Sequence, residues 1–170
     1  MIVLTPRFPK SARMFCALDF LTLILCCFGD VEGVFAAEIH HPFAAFNAKV
    51  EVDIEDGEID MLATFTLGAN SNGVDPAKEN VSLQVTGGTG AYSVTIPAGS
   101  FKKDGSGRFT FEGAINRVKL EASIQPFRSG AFEFAAETEG ANLKGFANPV
   151  TVSLTIGDDS GRRVVRAKIE

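Results

Sequence analysis

The chain has 170 residues, with Lys+Arg 16 against Asp+Glu 21 and a formal net charge of -5; that length gives room for one domain with a real core. Hydrophobic residues make up 45% and charged residues 22%, which excludes a disordered or collagen-like chain despite the many glycines. The acidic balance disfavours nucleic acid as a partner.

The amino-terminal stretch carries Arg7, Lys10 and Arg13, then an apolar run from Met14 to Phe28, then small residues around Val34, Ala36 and Ala37. That order predicts a secretory signal peptide over 1–36, cleaved after Ala36, with Met14 as an alternative start. A spanning helix needs about 20 apolar residues. Here Asp19 interrupts the run and Asp30 and Glu32 close it, so no transmembrane segment is expected once the leader is removed. Cys16, Cys26 and Cys27 all lie in the leader; the exported chain would have no disulfide and is long enough not to need one. Cys27 follows Cys26, a poor match to a lipid-attachment site. The reading places the protein in the periplasm, the cell envelope or the medium, with a partner among proteins or envelope components.

Residues 37–48 read as an amino-terminal extension, and 49–170 as a single all-β domain. From Lys49 the chain alternates with period two. Val50, Val52 and Ile54 alternate with acids, Asp56 and Gly57 turn the chain, and Met61, Ala63, Phe65 and Leu67 share a face. Val81, Leu83 and Val85 form the next strand, and Tyr92, Val94 and Ile96 follow a glycine turn. Phe101 begins a short strand, then come Phe109 with Phe111, Val118 to Ile124, and Phe132 with Phe134. Val150 to Ile156, a turn from Gly157 to Gly161, and Arg163 to Ile169 close the series. About ten short strands broken by Gly, Pro, Asn and Asp predict an antiparallel β-sandwich, with a barrel as the alternative. The phenylalanines at i, i+2 spacing read as core.

An internal echo runs through this series. Gly68, Ala69, Asn70 and Gly73 match Gly140, Ala141, Asn142 and Gly145, and Val81, Ser82, Leu83 match Val152, Ser153, Leu154. A four-strand unit duplicated over 50–96 and 118–169 around a central hairpin would produce it; turn chemistry repeated by chance in a Gly-rich chain is the alternative. The run Asn148, Pro149, Val150, Thr151, Val152, Leu154, Ile156, Gly157, Asp158, Asp159, Ser160, Gly161 resembles a carboxy-terminal motif of a family of uncharacterised exported bacterial β-rich proteins. Phe65 to Gly68 and Ser71 to Pro76 resemble an earlier part of that family. The resemblance implies export and a β-rich module, and it carries over no site residue.

Residues 51–60 hold six acids and no base. Asp53, Glu55, Asp56, Glu58 and Asp60 are the calcium candidates, because calcium takes six to eight oxygen ligands. They are misspaced for an EF-hand, and their alternation with Val50, Val52 and Ile54 favours a solvated strand face. Asn70, Asn72 and Asp75, and Asp158, Asp159 and Ser160, are weaker candidates of the same kind, and such residues ordinarily cap turns. His40 and His41 have no carboxylate or cysteine at a ligand spacing that completes a zinc site; only cleavage after Ala37 would make His40 the third residue of a copper-type amino-terminal chelate. No catalytic residue is assigned: the nucleophile elbow, the phosphate loop and the dinucleotide fingerprint are all absent from the sequence. Arg162, Arg163, Arg166 and Lys168 read as charges guarding an edge strand. These patterns imply an exported, non-catalytic binding or structural module without a required cofactor. The alternatives are a small secreted carboxylate-dependent hydrolase and a calcium-stabilised surface domain.

Overall fold

The computed structural model describes residues 40–170; the expected leader, its cysteines and the start at Met14 lie outside them. Two strands enter first, β1 (His41–Pro42) and β2 (Ala45–Asp53), followed by β3 (Glu58–Thr66), β4 (Val81–Gly87) and β5 (Gly90–Ile96). The middle of the chain forms β6 (Lys102–Lys103) and β7 (Phe109–Ile115). Then come β8 (Val118–Pro126), β9 (Ala131–Glu139), β10 (Val150–Ile156), β11 (Asp159–Val165) and β12 (Lys168–Ile169). Apart from the 3-10 turn Arg128–Gly130, the described residues contain no helix.

The strands form a five-stranded sheet, β1-β11-β10-β4-β5, and a seven-stranded sheet, β12-β2-β3-β9-β8-β7-β6. All pairings are antiparallel except those of β1 on β11 and β12 on β2, each two residues long. Neither sheet closes on itself, so the fold is a β-sandwich and not a barrel. Period-two alternation sends Val50, Val52, Ile59, Met61 and Phe65 of one sheet, and Val81, Leu83, Val85, Val152, Leu154 and Ile156 of the other, into one core.

The domain begins earlier than the sequence pattern suggests. Residues 41–48 are no extension: Phe43 and Phe46 are buried, and the Phe43 ring stacks on Phe65 at 4.5 Å. Gly161 on β11 permits this, since a Cβ there would stand 2.5 Å from the Phe43 ring. The final predicted strand is two strands in different sheets. Between them Ala167 is buried, and the Asn148 side chain takes both its N–H (2.7 Å) and its C=O (2.8 Å). The turn predicted over Gly157 to Gly161 is confined to 157 and 158, so Asp159 lies in β11 and is fully buried.

The repeated unit is visible in the architecture. Hairpin β2–β3 and hairpin β8–β9 both have nine-residue strands and a four-residue connection that ends in a left-handed glycine, Gly57 (φ 68) and Gly130 (φ 78). Hairpin β4–β5 and hairpin β10–β11 both have seven-residue strands and a two-residue turn that opens on one, Gly88 (φ 58) and Gly157 (φ 57). Equivalent strands pair with each other at the centre of each sheet, β3 with β9 and β4 with β10. A pseudo-twofold therefore relates β2–β5 to β8–β11, with β6 and β7 inserted between. The residue matches read from the echo need correction. Val81 is equivalent to Val150, and not to Val152, because the second connecting loop is shorter. A slip of two residues leaves every side chain on its own face, so sequence pattern alone cannot detect it.

Candidate functional site

The two outer faces differ in charge. On the five-stranded sheet the outward positions of β4, β5 and β10 are Ser82, Gln84, Thr86, Ala91, Ser93, Thr95, Thr151, Ser153 and Thr155, with no charged side chain. On the seven-stranded sheet, cross-strand register aligns Glu51 with Asp60, Asp60 with Glu137, Glu137 with Glu121, and Glu121 with Glu112. Five carboxylates from β2, β3, β9, β8 and β7 thus form one row. At a strand spacing of about 4.8 Å the row spans roughly 19 Å. Like charges directly opposite one another destabilise a sheet.

Among the described residues, bases form ion pairs with the row at Glu51 only, while Arg108 also lines the groove. Lys49 donates to Glu51 at 2.7 Å, and Lys168 on β12 lies 3.9 Å from the same carboxylate. The Lys49 hydrogen bond first, and then the charges of Lys49 and Lys168, hold the Glu51 carboxyl below its ordinary range. Among the described residues no base lies within ion-pair distance of Asp60, Glu137, Glu121 or Glu112. Those four side chains are exposed and, with Lys49 and Glu51, line a groove of about 670 Å³ across the sheet. Leu62, 46% exposed, adds an apolar floor beside the acids.

Next to the row, carboxylate oxygens of Glu58, Asp60 and Glu137 come within 4.8 Å of one another. Burial, followed by the charges of Asp60, Glu137, Asp53 and Asp56, pushes the Glu58 carboxyl above its usual range. A carboxyl raised on folding stabilises the protein below its unfolded-state value, and that contribution is lost as pH rises through its folded-state value. Glu58→Gln should therefore raise the melting temperature at neutral pH, and the gain should vanish in acid below the ordinary glutamate range. Melting curves of the two proteins across pH check this; a variant less stable at neutral pH would contradict it.

The five calcium candidates separate. Asp53, Glu58 and Asp60 share the outer face, whereas Glu55 and Asp56 occupy the exposed turn after β2. Asp53 is committed to that turn, accepting the backbone N–H groups of Glu55 (2.9 Å) and Asp56 (3.1 Å) through one oxygen. Glu137, Glu121 and Glu112 are the members that sequence reading missed; they come from strands far along the chain. The weaker candidates scatter: Asn70 and Asn72 are exposed, and Asp75 pairs with Lys78 at 2.9 Å. His41 lies 3.9 Å from the Asp158 carboxylate, but the only three-membered acid or histidine cluster closing to 4.8 Å among the described residues is the Glu58 group. The basic run divides, with Arg162 and Arg163 on β11 and Lys168 on β12. The chain matches no family model, no curated protein and no solved structure, so its site is defined by this geometry alone.

Proposed function

We propose that the chain is an exported, non-catalytic binding module that holds a cationic protein or envelope component in the acidic groove of its seven-stranded sheet. The observation that carries this reading is the row Glu51, Asp60, Glu137, Glu121, Glu112. A single-sign row costs the sheet stability and gains it back when a partner brings positive charge. Sites that violate a folding preference in this way are where function is expected.

A resident calcium ion is supported less well. The Glu58 cluster offers three carboxylates where calcium takes six to eight oxygens, and Asp53 is occupied by its turn. A carboxylate-dependent hydrolase is the second reading, favoured by the raised Glu58 beside Asp60 and Glu137. The small cleft at Glu58 is lined by Glu51, Val52, Asp53, Asp60 and Glu170, with no aromatic or hydroxyl group to grip a sugar, which supports binding over hydrolysis.

Titration with a short oligolysine tests the proposal. Saturable binding that weakens about tenfold or more from low to physiological salt is expected. Millimolar calcium and magnesium should shift the melting temperature slightly and equally. A large calcium-specific shift would assign the acids to a metal instead.

A further inference from the structure

We propose that the open edge of β5 is a strand-addition site that takes an extended, uncharged segment of a partner protein, with apolar side chains at alternate positions, running parallel to β5. This surface belongs to the other sheet and does not rest on the acidic groove.

The edges of the two sheets are treated differently. β1, β6 and β12 are two residues long and carry Pro42, Lys102 with Lys103, and Lys168. Where β11 runs past β1 it carries Arg162 and Arg163. Short edges, proline and lysine are the usual guards against strand addition. β5 has none of them: Gly90–Ile96 is seven residues, without charge or proline, and pairs with β4 in unbroken register. Gly87 and Gly90 are directly opposed across a two-residue turn, which sets the hydrogen-bonding phase of the hairpin, and the Gly90 N–H donates to Gly145 C=O at 3.0 Å. Every second residue of β5 then faces β4, leaving the N–H and C=O groups of Ala91, Ser93 and Thr95 pointing outward. Among the described residues no strand pairs with them.

The pseudo-twofold identifies what such an edge accepts. Its equivalent, the edge of β11, holds β1 in parallel: His41 N–H donates to Asp158 C=O at 2.6 Å and Phe43 N–H to Ser160 C=O at 2.8 Å. The Phe43 side chain is buried against Phe65. Asp158 and Ser160 correspond to Thr89 and Ala91, whose carbonyls are the matching acceptors. Among the described residues no strand repeats β1 there, since β8 is entered from β7 by a tight turn at Asn116 and Arg117 instead of by an arm. An apolar floor is present as well. On the inner face of β7 Phe109 is buried, whereas Phe111, which packs on the buried Phe101 at 5.9 Å, and Ile115 are only partly buried; Leu120 and Ala122 on β8 are buried. One added strand beside β5 would extend apolar cover toward Phe111 and Ile115.

A synthetic peptide of residues 40–46, the segment that fills the equivalent edge, is the probe. Titrated into the labelled protein, it should shift and protect the amides of Ala91, Ser93 and Thr95 saturably. Ser93→Pro, which removes the central outward N–H, and Ser93→Lys, which installs an edge guard, should each weaken binding about tenfold or more. Both should leave the melting temperature nearly unchanged. The same peptide carrying Phe43→Asp should not bind. No saturable shift, shifts confined to β11, or binding indifferent to both Ser93 variants would overturn the proposal. Concentration-dependent dimerisation abolished by Ser93→Lys would overturn it in favour of a second copy of the chain.

Discussion

Reversing two charges in the acidic row, Asp60→Lys with Glu121→Lys, should raise the melting temperature by roughly 2–6 °C while abolishing oligolysine binding. The row Glu51, Asp60, Glu137, Glu121, Glu112 contains four directly opposed like-charge pairs. Both substitutions fall on alternate members, so all four become opposite-charge pairs. These side chains are exposed, and solvent screening keeps each gain small; the number of pairs makes the total measurable. High salt should shrink the difference between variant and native protein. A variant that melts lower, or one that still binds oligolysine, would contradict the account of the row as a functional cost. Neutral Asp60→Asn with Glu121→Gln serves as the control, with a smaller rise and weakened, not abolished, binding.

Loss of a single hydroxyl at Ser71 should destabilise the protein by about 2–3 kcal/mol. Asp159 is fully buried at the start of β11, and among the described residues its one hydrogen-bond donor is the Ser71 hydroxyl, at 2.5 Å from Oδ2. Oδ1 has no partner. Ser71→Ala leaves a buried carboxylate with no donor, and a buried polar group without partners costs far more than an exposed one. Ser71 also accepts the Gly73 N–H at 3.1 Å, so the same change loosens the loop between β3 and β4. The cost should fall below about 1 kcal/mol when Asp159 is already alanine, because most of it is coupling between the two side chains. Urea denaturation of the four proteins of that cycle measures it; additive losses would mean that the contact does not carry the loop.

Alternation made much of this fold legible. The period-two pattern from Val50 to Leu67 places Glu51, Asp53, Glu58 and Asp60 outward, and they lie outward in the sandwich. It was silent about Ala45 to Ala48, where Phe46 is the only strongly apolar inward residue and alanines give no contrast. The acidic row was legible only in part. Parity assigns a face to Glu137, Glu121 and Glu112, but the row depends on register between strands as far apart as Asp60 and Glu137, 77 residues along the chain, and no local pattern encodes that. Asp159 is hard to place for a related reason: Gly157 and Asp158 suffice for the two-residue turn, and nothing in a Gly-Asp-Asp-Ser-Gly run tells which Asp ends the turn and which begins the strand. The repeat was detectable as an echo in turn residues, yet its true alignment follows the hairpin lengths and not the matched letters.

The most direct test of the acidic groove is amide chemical-shift mapping during oligolysine titration at low salt. Saturable shifts are expected centred on Glu51, Asp60, Glu137, Glu121 and Glu112, with Ser82, Thr95 and Thr155 on the five-stranded sheet unmoved. Shifts spread over the exposed acids of the turns, such as Glu55 and Asp56, or none at all in the row, would contradict it.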